Sequence, residues 1–136
     1  MTAEQLVSAV ARWAEGQIDI LSVALVGSHA RGAARSDSDV DFVILCTEPA
    51  RYLQQQSWIF EFGVARDVSV EDWGKVQSIR VFYADGPEAE YGITSSAWAA
   101  LPLVDGAFQV LKDGVAVLFD RDGGLTHAVE RVQESA

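Results

Sequence analysis

The chain has 136 residues, 49% of them hydrophobic, which suits one domain over residues 1–136 with a real core and no second unit. Twenty acidic residues against ten basic ones set the formal charge at −10, a field that opposes phosphate backbones and argues against a polymeric nucleic-acid partner. A lone cysteine, Cys46, excludes an intrachain disulfide; with no apolar run of membrane-spanning length and no charged-then-apolar N-terminus, the default expectation is a cytoplasmic protein without a membrane partner. From the N-terminus, Thr2-x-x-Gln5 has the form of a capping box. Leu6, Val7, Val10, Trp13 and Ala14 then recur at helical spacing, so the pattern predicts a helix over residues 3–14 with Trp13 in the core. Residues 18–26 are nearly all apolar and predict a central strand covered on both faces.

The next stretch organises the chain. Between the apolar runs 20–26 and 40–46 stand Gly27-Ser28 and, ten residues on, Asp39-x-Asp41. Side chains alternate along a strand, so Asp39 and Asp41 face the same way with Cα atoms roughly 7 Å apart, from about 3.3 Å of rise per residue. Two such carboxylates at the mouth of a sheet repel; either one is protonated or a cation sits between them. All-oxygen ligands favour a hard ion such as Mg²⁺, which takes substrate phosphates as further ligands. Gly27 lets backbone approach a phosphate closely. Residues 28–34 can open a short helix, whose N–H groups would receive phosphate oxygens together with the Ser28 hydroxyl. The Walker pattern is absent, since no Gly-Lys-Ser/Thr ending occurs.

Gly27-Ser28, the ten-residue spacing and Asp39-x-Asp41, with Arg31-Gly32 and Ser38 in place, resemble the signature of the polymerase-β-like nucleotidyltransferase superfamily. Its small members include the minimal nucleotidyltransferases and the catalytic domains of aminoglycoside nucleotidyltransferases. The resemblance implies an α+β (α/β) domain with a mixed β-sheet flanked by helices. It also implies phosphate contacts from Gly27, Ser28, Arg31 and Ser38. Arg31 and Arg35 are near enough in sequence to assist, or stand as surface arginines.

Pro49 opens a helical stretch over residues 51–62, ended by Gly63, with Trp58, Ile59 and Phe62 on one face. Strands are expected over 64–70 and 76–83, with Trp73-Gly74-Lys75 between them, the second near an edge; an exposed Trp73 would suit an interface. Asp85-Gly86 makes a hairpin turn into a strand over 88–94. There Ala89, Tyr91 and Ile93 share one face, and Glu88, Glu90 and Gly92 the other. On pattern alone those acids fit a solvated face as well as a functional one. The resemblance places a third carboxylate on such a strand, at Glu90, with Glu88 as the alternative, and Gly92 would leave room for substrate beside it. Ser95 caps a short helix through Trp98, read as core, and Pro102 stops it. A helix over 105–111, a strand over 115–119 and a closing helix over 125–132 finish the chain. His29 lies within the phosphate loop and His127 on a helix surface, without metal-ligand spacing.

The implied reaction is in-line attack of an acceptor hydroxyl on the α-phosphorus of a nucleoside triphosphate, with pyrophosphate leaving. Asp39, Asp41 and Glu90 would hold two Mg²⁺ ions, and Glu90 would accept the acceptor proton. The transferred group is expected to be AMP and the acceptor a small molecule or partner protein. With 42 residues after Thr94 to finish the core, the acceptor is expected to be bound by a second copy or another chain. The alternative is an antitoxin-type or non-catalytic nucleotide-binding interaction module.

Overall fold

The structure, a computed structural model, describes residues 1–35, 37–72 and 76–134. A reciprocal capping box starts α1 (Ala3–Glu15): the Thr2 hydroxyl accepts from the Gln5 N–H, and the Gln5 side chain accepts from the Thr2 N–H. Its apolar stripe, Leu6, Val10 and Ala14, is fully buried. The chain turns before β1 (Ile20–Val26), which therefore begins two residues later than its apolar run. The Ile20 N–H is spent on the Gln17 carbonyl in that turn, and Ile18 is left 89% exposed. One helical turn, α2 (Gly27–Ala30), leads by a loop to β2 (Val40–Cys46).

The single helix expected over 51–62 is two pieces, α3 (Pro49–Gln54) and a 3₁₀ segment, Ser57–Glu61. The break has a local cause. The Gln56 side chain donates to the Leu53 carbonyl and the Trp58 indole N–H to the Tyr52 carbonyl, taking acceptors that a continuing helix would use. Then come β3 (Ala65–Asp72), β4 (Gln77–Tyr83) and β5 (Glu88–Thr94). The Trp73-Gly74-Lys75 connection lies outside the described residues. A 3₁₀ turn (Ser96–Ala99) capped by Ser95, then α4 (Asp105–Asp113), β6 (Val115–Asp120) and α5 (Gly124–Glu134), complete the order.

The six strands form one mixed sheet in the order β3-β4-β5-β2-β1-β6. Only β2 and β5 pair in parallel; the other neighbours are antiparallel. So β4 stands one place in from the edge, which β3 forms. On one face, α1, α3 and the 57–61 segment cover a core rich in rings. Trp13 stacks on Trp58 at 5.1 Å, and Tyr91 stacks on Phe42 at 5.3 Å. The Tyr91 hydroxyl meets that of Tyr83 at 2.8 Å, and Tyr83 donates to the Ile59 carbonyl, so both buried phenols are satisfied. On the other face, Trp98, Leu111, Leu125, Ala128 and Val132 pack on Ala24, Val26, Val43 and Leu45 of β1 and β2. The helices of this second face thus cover the β2-β1-β6 half. Cys46 is a fully buried small hydrophobe whose thiol is pushed up to about 11, chiefly by burial. Among the described residues no helix is long and apolar enough to cross a membrane.

Candidate active site

The ends of β1, β2 and β5 bring the acids together. In register, Asp41 stands between Val26 of β1 and Glu90 of β5. Asp39, two residues before Asp41, shares its side of the chain. One carboxylate oxygen from each of Asp39, Asp41 and Glu90 lies within 4.8 Å of the others, all three side chains being half-buried. Glu88, on the same face of β5, is outside that group and pairs instead with Arg80.

Two features show that the cluster is built around Asp41. Its Oδ1 is buried and has no hydrogen-bond partner. Burial, with the charges of Asp39 and Glu90, pushes its carboxyl up to about 7, and Arg80 offsets part of this. Gly27 turns at φ +74°, and a Cβ there would fall on Asp41 Oδ2. The glycine that ends β1 is therefore required twice, for its backbone and for the space that the carboxylate fills. An orphaned buried oxygen beside two further carboxylates is a donor set of hard oxygens, and it fits a divalent cation of the Mg²⁺ type.

The carboxylates open into a cavity of about 640 Å³. Gly27 and Arg31 line it on one side, and the Arg31 stem lies against Gly114, where a Cβ would collide with it. Its far wall is apolar: Val43 and Val76, then Trp98, Val104, Ala107 and Val110 from the helical layer. Gly92 is part of the lining, but it is also tightly packed; a Cβ there would come within 3.2 Å of Val76 Cγ1 and 3.3 Å of the Phe42 carbonyl oxygen. Ser28 sits half-buried in α2, its carbonyl accepting from Ala33. Ser38 braces the loop, its hydroxyl accepting from the Arg35 N–H, and with His29 it lines a different cavity, against the N-terminus and Asp85. His127 is exposed on α5.

One residue of the site was not singled out from the sequence. Arg80, on β4, pairs in register with Glu90 and reaches four carboxylates at once. Its Nε donates to Glu71 at 2.7 Å, Nη1 to Asp39 at 3.2 Å and Glu88 at 3.1 Å, and Nη2 to Glu90 at 2.9 Å. The signal present in the sequence was an arginine flanked by Ile79 and Val81, across a hairpin from the acidic strand.

This mixed six-stranded sheet with flanking helices is that of an α+β nucleotidyltransferase fold. The profile of the nucleotidyltransferase domain family matches residues 5–82, and the chain belongs to that family, within the polymerase-β-like superfamily. Among solved structures it is similar in fold to an aminoglycoside 6-adenyltransferase from Bacillus subtilis, with a TM-score of 0.59 and 16% sequence identity. That match covers 73% of this chain and 37% of the other, so the chain spans little more than a third of that enzyme. No curated protein matches the sequence.

Proposed function

We propose that this domain transfers a nucleoside monophosphate, AMP from ATP, to a hydroxyl of a small molecule or a partner protein, with pyrophosphate released. The observation that carries the reading is the meeting of Asp39, Asp41 and Glu90 around the unpartnered Asp41 Oδ1, at the mouth of a cavity large enough for a ligand. Asp39 and Asp41, with Glu90, would hold two Mg²⁺ ions. When bound, these supply the positive charge that offsets the triphosphate and lowers the pKa of the attacking hydroxyl.

The chain's own groups divide the remaining work. Gly27 keeps the β1–α2 turn free of side-chain bulk, so that backbone N–H groups and the Ser28 hydroxyl can receive phosphate oxygens. Arg31, on the same side of the cavity, adds a fixed positive charge. The apolar wall from Val43 to Val110 excludes water beside the reacting groups and suits a nucleoside. Glu90 lines the cavity beside the two aspartates, where it would accept the hydroxyl proton. Ser38 acts on this reading as a brace for the loop.

The test is incubation of the purified chain with each labelled nucleoside triphosphate and Mg²⁺, with and without small-molecule hydroxyl acceptors and co-purified proteins. Label transfer from ATP that disappears in the double variant Asp39→Asn/Asp41→Asn is expected. Transfer that persists in that variant overturns the assignment.

A further inference from the structure

The reading of Asp39, Asp41 and Glu90 as cation ligands leaves Arg80 unexplained, and the following rests on that reading. We propose that Arg80 is a built-in counter-ion of the site: a positioning residue that takes up part of the carboxylate charge when no metal is bound and competes with the metal for Asp39 and Glu90.

Three observations support this. First, the guanidinium is always charged and spreads its donors over a fork, so one residue can bridge several carboxylates. Here it does so with four, at 2.7–3.2 Å. Second, two of those four, Asp39 and Glu90, belong to the three-acid cluster, and the other two, Glu71 and Glu88, do not. The outer pair gives the guanidinium partners to keep when the inner pair turns to a cation. Third, the base of Arg80 is fixed. Its backbone sits in an inner strand, paired with Ser69 on β3 and Glu90 on β5. Only the tip of the side chain can shift, by the small amount needed to exchange inner for outer partners. By contrast, no hydrogen bond or ion pair joins Arg80 to Asp41, whose Oδ1 is the atom without a partner. The arginine thus leaves open one ligand position and occupies the other two.

The electrostatic consequence has a definite sign. A cation that approaches Asp39 and Glu90 meets a positive charge already at contact distance from both. Removal of Arg80 therefore strengthens metal binding and weakens the metal-free fold. A purely structural arginine would do the second and not the first.

The experiment is calorimetric titration of the whole chain with Mn²⁺, without nucleotide, together with thermal unfolding in EDTA. For Arg80→Met the Mn²⁺ Kd is expected to fall about tenfold, the scale of one unit charge acting at contact distance in a half-exposed site. Its melting temperature in EDTA falls as well, and Mn²⁺ raises it by more than in the unaltered chain. Arg80→Lys, which keeps the charge and loses the fork, lies between the two. A Kd for Arg80→Met equal to or above that of the unaltered chain overturns the proposal. If Arg80→Met does not fold, Arg80→Lys decides in the same way: a lower Kd supports the proposal, and an equal or higher one overturns it. Mn²⁺ binding that survives Asp39→Asn/Asp41→Asn overturns the metal reading itself, and this proposal with it. Loss of binding in that double variant, with no tightening in Arg80→Met, overturns this proposal alone.

Discussion

Asp41 is the residue on which the site turns, because three unfavourable conditions meet at its carboxylate. It is half-buried, it faces two like charges, and one of its oxygens is buried without a partner. Each condition favours the protonated form, and together they raise its pKa from 3.8 to about 7. The sign of the consequence follows from linkage. The folded state binds this proton more tightly than the unfolded chain does, so the group's contribution to stability is complete below about pH 4 and is lost as pH rises through about 7. In EDTA, the difference in melting temperature between the unaltered chain and Asp41→Asn should therefore widen against the unaltered chain across that interval. A constant difference would show that Asp41 titrates as an ordinary carboxylate. The aspartate pair was readable because strand parity puts Asp39 and Asp41 on one side, whereas alternation left Glu90 as fit for a solvated face and only the family resemblance singled it out. The orphaned oxygen was not readable, since it depends on how closely the Gly27 turn closes over the carboxylate.

At the scale of elements, one side chain ties together β1, the end of β6 and the start of α5. Asp120, at the end of β6, accepts from the Ser22 hydroxyl of β1 at 2.9 Å and from the Thr126 N–H in the first turn of α5 at 2.7 Å. Burial by itself would raise its pKa, but hydrogen bonds from Thr126, Ser22 and Leu125 outweigh that and hold it below the usual value. Asp120→Ala should cost about 1–2 kcal/mol in urea unfolding at neutral pH, the range for a lost helix cap. A carboxylate whose folded pKa is lowered stabilises above its unfolded pKa, so this cost should shrink as pH falls through the carboxylate range. Elements with their own local signal were legible: the capping box of α1, the apolar runs of β1 and β2, and the alternation of β5. The break between α3 and the 57–61 segment was not, because helical periodicity does not reveal that Gln56 and Trp58 reach back to backbone carbonyls. Arg80 escaped for a related reason. A two-residue Asp85-Gly86 turn would set Arg80 opposite Tyr91, whereas the longer turn of the structure sets it opposite Glu90. One residue of register separates an arginine facing the aromatic core from one held among four acids.

Across the whole molecule, the charge of −10 and the placement of the site act against each other. On the proposed reading the substrate is a triphosphate, itself a polyanion, and it would approach a mouth lined by Asp39, Asp41 and Glu90, with Glu71 and Glu88 beyond them. Among the described residues, Arg80 and Arg31 stand at that end of the sheet, and Arg80 is already shared among four carboxylates. On that reading these described charges would be too few to draw in the substrate, and mobile cations would supply the rest. Screening by a monovalent salt reduces the repulsion but gives no ligand to the Asp41 oxygen. Divalent ions do both. Calorimetry should accordingly detect no ATP binding in EDTA, even at high KCl, and clear binding once Mg²⁺ is added. Asp39→Asn/Asp41→Asn should remove the Mg²⁺-dependent binding while the chain stays folded, since two mutually repelling carboxylates have been replaced by neutral amides of the same shape. Tight ATP binding in EDTA, or binding restored by KCl alone, would mean that the acids repel no ligand, and the assignment of this end of the sheet to the triphosphate would fail.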